Sequence, residues 1–295
     1  MRRRIVSRYL AIGLFAAVSA LLGGPLAPPA ASQAAHAPIP ADMNCSGIVT
    51  TEAVPRDTIL ITAEESNFQI TFQQGDYVYI NKGSEQGVKV GDEFRVMRQA
   101  SFSPSVKWFA WQNSLMHAMG TPWEDEGRLR VVVTHPKVST AQIVESCSWM
   151  QRGDIVIPFA ERPAPALKPE GKFDHFAPPS GKSTAMLVMG KSFTSLHGTN
   201  GIVYVNLGSA QGVKVGDYFR IFRYQDTHAE TVYETPRQAF DMYGFGSVPL
   251  QYSSKDIPRD VIGEGIVLRT SPNSSTVLIT FSLRELYSGD YVEIE

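Results

Sequence analysis

The stretch Gly83–Arg98, GSEQGVKVGDEFRVMR, returns as GSAQGVKVGDYFRIFR at Gly208–Arg223, 125 residues further on. A chain that repeats so turn-rich a sentence is constrained to build one small unit twice. Val78–Arg98 and Val203–Arg223 are identical at 15 of 21 positions. The exceptions are mild: Ile80/Val205, Lys82/Leu207, Glu85/Ala210, Glu93/Tyr218, Val96/Ile221 and Met97/Phe222. Similarity resumes where Gly127–Ile143 (GRLRVVVTHPKVSTAQI) lies over Gly263–Ile279 (GEGIVLRTSPNSSTVLI), and Arg152–Val156 lies over Ser288–Val292. The second offset exceeds the first by 11 residues. Each copy therefore has two matched halves around a variable insert. Two copies mark a duplication; a solenoid needs three or more.

The repeated words read as strands and corners. YVYIN and IVYVN are β-branched and aromatic with period two, and TILIT (58–62) and TAMLVM (184–189) supply an earlier strand to each copy. Gly83 and Gly87 are expected to take positive φ and turn the chain. Beyond them EFRVMR puts Phe94 and Val96 on one face and Arg95 and Met97 on the other. Gly-Asp recurs at Gly91-Asp92, Gly153-Asp154, Gly216-Asp217 and Gly289-Asp290, each before an apolar alternation. An aspartate there caps neighbouring backbone N–H groups. The fold expected is mainly β: two tandem small antiparallel β-barrels, at 45–157 and 184–295, each with an irregular or partly helical insert. Between them 158–183 holds six prolines and reads as a semi-rigid linker. The length suits about two domains.

The inserts are where the copies differ. The first, 101–126, gathers Trp108, Phe109, Trp111, Met116, Met119 and Trp123, and Pro104–Met119 suits a helix starting after Ser103. An aromatic cluster of this kind serves either as an exposed contact for a protein or glycan, or as a lid over a barrel end or the inter-domain seam. The second insert, 226–262, carries Tyr233, Phe240, Tyr243, Phe245 and Tyr252 among prolines and glycines and reads as irregular.

The N-terminus reads as an export signal: a basic MRRRIVSRY, an apolar run of 13 from Leu10 to Leu22, then small residues, with cleavage expected near Ala34 or Ala35 and a signal peptide over 1–35. That run is too short for a comfortable membrane span, and no other stretch reaches about 18 apolar residues. The expected location is periplasmic or extracellular. There Cys45 and Cys147 are expected to pair. Their spacing resembles neither a metal site nor a C-x-x-C redox pair. A net charge of −2 lacks the basic surplus of a general nucleic-acid binder.

The words VYINKGSEQGVKVGDEFRVMR, GRLRVVVTHPKVSTAQI and RGDIV together resemble the C-terminal domain of the flagellar assembly T protein family. That family's pattern runs G-x-x-x-G-V-x-x-G-D-x-[FL]-x-V, then a G-x-[LI]-x-V-x-x-V strand, then G-D-x-V. Words of this kind also occur in periplasmic domains of cell-shape proteins. The resemblance covers each repeat but not the linker or inserts. It implies a β-domain in the cell envelope, in a protein that helps build the flagellar basal-body ring.

Chemistry is hard to find. Arg152–Asp154 spells RGD, but the second copy has Ser288-Gly289-Asp290 in that slot, so Gly-Asp serves the turn. SGKST at 180–184 lacks the upstream glycine of a phosphate-binding loop, its slot being Phe176. Asn44 and Asn273 fit glycosylation sequons by pattern alone. Histidines 117, 135, 175, 197 and 228 are scattered, and no hydrolase signature stands out. The expectation is a non-enzymatic, exported, envelope-associated interaction module without metal or cofactor. Its partner is a protein of the envelope or, alternatively, cell-wall glycan; no nucleic acid is expected, and no membrane span once the signal is removed.

Overall fold

The structure is a computed structural model that describes residues 37–64, 68–101, 107–169, 173–224 and 258–295. The expected signal peptide, the first turn of the expected helix at Pro104 and most of the second insert lie outside them.

The described chain opens with α1 (Pro40–Asn44) and β1 (Ile48–Thr50). The first copy follows as β2 (Leu60–Ala63), β3 (Thr71–Phe72), β4 (Tyr77–Ile80), β5 (Glu93–Gln99), α2 (Gln112–Met119), β6 (Thr121–Thr134), β7 (Ser139–Ser146), β8 (Met150–Gln151) and β9 (Ile155–Pro158). The second is β10 (Thr184–Gly190), β11 (Leu196–His197), β12 (Ile202–Val205), β13 (Tyr218–Arg223), β14 (Asp260–Ser271), β15 (Ser274–Ser282), β16 (Leu286–Tyr287) and β17 (Tyr291–Ile294).

The second copy closes into a six-stranded barrel in the order β10-β12-β15-β14-β13-β17. The first copy forms a sheet in the matching order β2-β4-β7-β6-β5-β9, with β1 added beside β6. Its end strands approach each other, since Ile59 bridges Ile155 and Leu60 N–H donates to Asp154 O at 2.9 Å. The alternation that marked the strands decides what lies inside. Leu60, Val78, Ile80, Phe94, Val96, Leu129, Val131 and Ile143 fill the first interior, and Leu187, Val203, Val205, Phe219, Ile221, Val277 and Ile279 the second. Each interior is a packed core.

The repeated word encodes backbone geometry. In each copy Gly-Asp ends a four-residue turn whose glycine has positive φ: 93° at Gly91, 89° at Gly153, 92° at Gly216 and 110° at Gly289. The aspartate then accepts the N–H of the turn's first residue: Lys89 on Asp92 (2.9 Å), Gln151 on Asp154 (2.7 Å), Lys214 on Asp217 (2.8 Å) and Tyr287 on Asp290 (2.7 Å). Gly87 and Gly212 are also left-handed, at 85° and 86°. Gly83 corrects the sequence reading, for its φ is −132°. It is glycine because a Cβ would sit 2.0 Å from His135 O; at Gly208 the distance to Ser271 O is 2.1 Å. Gln86 and Gln211 complete the corner by accepting the Gly83 and Gly208 N–H groups, both at 2.8 Å.

The proline-rich segment is fastened along the second copy. Lys168 Nζ reaches Glu264 at 2.9 Å and Glu295 at 2.7 Å, the Phe173 ring lies 4.7 Å from Phe281, and Ala177 is buried against Phe222 and Val261. Proline sets its extended backbone, and these side chains fix its course.

Candidate functional site at the seam between the copies

The copies differ in sequence where they meet in space. At outward positions of the second matched block Arg130, Gln142 and Val133 face Ile266, Leu278 and Arg269 in the alignment. Ile266, Leu278 and Leu268 pack under Met43 of α1 on the wall of the second barrel. Arg130 and Gln142 have no such cover, and Arg130 instead pairs with Glu93 at 2.6 Å.

The segment after α1 is held from both sides. β1 pairs with the start of β6 (Ile48 with Trp123, Thr50 with Thr121), and Cys45 is bonded to Cys147 at the end of β7. Side chains of the second barrel bind its carbonyls: Tyr204 Oη donates to Ser46 O (3.0 Å), Thr276 Oγ1 and Arg269 Nη1 to Gly47 O (3.2 and 3.1 Å), and Ser274 Oγ to Val49 O. Gly47, at φ 66°, has no room for a Cβ, which would lie 2.4 Å from Tyr204 Oη.

One buried carboxylate organises the polar half of the seam. Asp125 on β6 accepts from Gly47 N–H at 2.9 Å and from Arg269 Nη1 at 3.0 Å, with Arg95 at 3.7 Å and Arg162 at 3.9 Å. Three guanidiniums thus share one fully buried anion. Burial, then repulsion from Arg269 and Arg95, pushes Arg162 down to about 9. Burial likewise lowers Arg95 despite Asp125. Next along β6, burial pushes Glu126 up to about 7 against the pull of Arg98, whose Nη1 is 3.4 Å away. Arg98 also grips Asp154 with two 2.7 Å hydrogen bonds, and its counterpart Arg223 grips Asp290 at 2.7 and 2.8 Å.

The apolar half comes from the first insert. Phe109, Met116 and Met119 are buried with Val49, Val188, Met189 and Tyr204, and the Trp108 ring packs on Phe193 with centroids 4.6 Å apart and planes tilted by 40°. Gln112 binds both partners, accepting Trp108 N–H and donating to Val188 O, each at 2.8 Å. Burial raises the Tyr204 hydroxyl far above its ordinary range.

Of the six contact residues picked out from the sequence, Phe109, Met116 and Met119 are therefore spent on the seam, and Trp108 flanks it. Trp111 stands 78% exposed at the head of α2 with φ 72°. Trp123 lies in β6, not in a helical insert, and is buried with Met97 and Ile155. Within the described residues the helix starts at Gln112, eight residues after Pro104, because Trp111 leaves helical geometry. Between the copies a cleft of about 410 Å³ is lined by Arg98, Ser101, Trp123, Glu124, Trp149, Phe193 and Tyr204, among others.

Sequence reasoning missed Asp125, Arg269, Arg95, Arg162, Glu126 and Tyr204. The signal was present as apolar residues at outward positions of one copy and as Arg269 opposite Val133. Among the described residues no group of three or more His, Cys, Asp or Glu could hold a metal. None of their helices is long and apolar enough to cross a membrane. Neither protein-family models nor curated proteins match the chain.

Proposed function

We propose that this is an exported, non-enzymatic interaction module of the cell envelope. In this reading it consists of two copies of one small barrel, joined so that they present a composite surface. The matching strand order, Gly-Asp corners and Arg–Asp clamps support the duplication. The Cys45–Cys147 disulfide is compatible with an oxidising compartment. The resemblance to the flagellar assembly T domain supports an envelope setting. Partners are protein components of that envelope, and the basal-body ring is the assembly the resemblance offers.

The observation that carries the reading is Trp111. A bulky residue with φ near 72° is strained, and here the strained residue holds an indole in water at the head of a helix whose Met116 and Met119 are buried. Tryptophan is among the residue types enriched in the hot spots of protein contacts. Capture of envelope proteins from membrane extracts tests this. Wild type is expected to retain a partner that Trp111→Ala loses; an unchanged set of captured proteins refutes the role of Trp111. Glycan in the seam cleft is the second reading, favoured by Trp149, which is 56% exposed beside Arg98. Sedimentation with purified peptidoglycan decides it, and a pellet without enrichment ends it.

A further inference from the structure

The wall of the second barrel that receives the first insert has a twin on the first copy. Register fixes the equivalence: Leu60 opposes Ile80 as Leu187 opposes Val205, and Thr62 opposes Tyr79 as Met189 opposes Tyr204. Ile61 therefore corresponds to Val188, and Tyr79 to Tyr204. On the second copy that wall is sealed, with Val188 at 0% and Tyr204 at 3% exposure. On the first copy it stays apolar and open, with Ile61 at 39% and Tyr77 at 39%, and on the adjoining loop Phe68 stands at 92% and Ile70 at 83%.

We infer that this open wall of the first copy is a docking surface for a second copy of the chain. The occupant is the second insert of that copy, 226–262. The inference rests on the interaction reading above and names a partner for it.

Three observations carry it. The protein already contains one interface of this type, so what covers such a wall is known: the insert of the neighbouring barrel. The second insert occupies the same place in its repeat as the first, between the two matched halves, and brings Phe240, Tyr243 and Phe245. The internal seam is heterologous, insert of one barrel on wall of the next. The ends of β13 and β14 that flank the second insert lie under the linker, Phe222 and Val261 packing with Ala177, while the far end of β14 carries Arg269 to Asp125. A heterologous contact satisfied once inside the chain leaves the wall of the first copy open, and repeating it between molecules joins them into open chains or rings.

Sedimentation velocity on residues 35–295, a compact unit of its own, tests this from micromolar to submillimolar concentration. Wild type is expected to show a sedimentation coefficient that climbs with concentration past that of a dimer. Two variants keep the backbone intact: a wall variant, Ile61→Glu/Phe68→Glu, and an insert variant, Phe240→Ser/Tyr243→Ser/Phe245→Ser. Each alone is expected to stay monomeric. Mixed in equal amounts they should form a one-to-one dimer and stop, because each supplies the half the other lacks. Wild type monomeric throughout overturns the inference, as does a wall variant that assembles like wild type, or a mixture that stays monomeric. A protein that captures an envelope partner through Trp111 yet never self-associates refutes this inference alone. One that self-associates without capturing anything refutes only the envelope reading.

Discussion

Two glycines four residues apart in the repeated word are required for different reasons, and substitution by alanine separates them. At Gly87 the backbone is left-handed, and nothing lies within 4 Å of an added Cβ. The cost of Gly87→Ala is therefore the conformational one, about 1 kcal/mol. At Gly83 the backbone suits any residue, but the added Cβ lands 2.0 Å from His135 O and 2.7 Å from both Pro136 O and Val138 N. Ordinary carbon contacts need roughly 3.5 Å, so the hairpin joining β6 and β7 must retreat by more than an ångström. Ser84 N–H and Glu85 N–H hold that hairpin through His135 O (2.9 Å) and Pro136 O (3.0 Å). Weakening two hydrogen bonds at about 1 kcal/mol each, on top of an overpacking cost of about 2 kcal/mol, gives about 4 kcal/mol for Gly83→Ala. Thermal unfolding followed by circular dichroism should then separate the two variants by roughly 6–12 °C. Gly208→Ala and Gly212→Ala should reproduce the contrast in the second barrel. Equal melting temperatures for Gly83→Ala and Gly87→Ala would refute the crowding argument.

Replacing Cys45 and Cys147 by serine releases a closure of 102 residues, worth about 4–5 kcal/mol in the chain-entropy account; a melting temperature unmoved by the change or by reductant contradicts that role. Asp92→Ala removes a turn cap and should cost about 1 kcal/mol, whereas Asp154→Ala also strips Arg98 of its two-point partner and should cost about 3 kcal/mol, compared by urea titration. His197, pushed down to about 4 by burial, contributes stability that is present above its unfolded value of 6.5 and is lost as pH falls toward 4. His197→Phe, which copies Phe72 of the first repeat, should flatten that acid limb. Glu126 works in the opposite sense. Held near 7 against 4.5 unfolded, it binds a proton on folding, so its contribution fades as pH rises from 4.5 through 7; Glu126→Gln should remove that slope in the same pH series.

Much of the fold was legible because the repeated word is dense in residues whose geometry is local. Gly91-Asp92 and its three relatives announce turns through one dihedral and one side-chain hydrogen bond, and Phe94 and Val96 announce an inward face by alternation. The disulfide followed from two cysteines in a chain expected to be exported. The seam was not legible, because its parts lie far apart in sequence: Asp125 meets Arg269 at a separation of 144 residues, and Gly47 meets Thr276 at 229. Gly83 was misread for a related reason, since its constraint comes from a hairpin some 50 residues on. Trp123 was grouped with the insert because composition cannot distinguish a loop from the extension of a long strand such as β6.

Divergence between the two repeated sequences is more informative than their agreement. Where both must turn or fill a core, as at Gly91/Gly216 or Val131/Val267, the residues agree. Where one copy is covered and the other is not, they part: Arg130 is solvated and ion-paired while Ile266 is buried, and Val133 is 46% exposed while Arg269 is drawn to Asp125. A buried ion pair of this kind contributes little net stability, because desolvation consumes most of the attraction. Its effect is to fix which wall meets which insert, for Asp125 left without Arg269 would be a buried charge with only more distant guanidiniums. Val261 stands where Asp125 does in the other copy, so no carboxylate fills that position in the second. The internal seam is thereby specified by charge as well as shape.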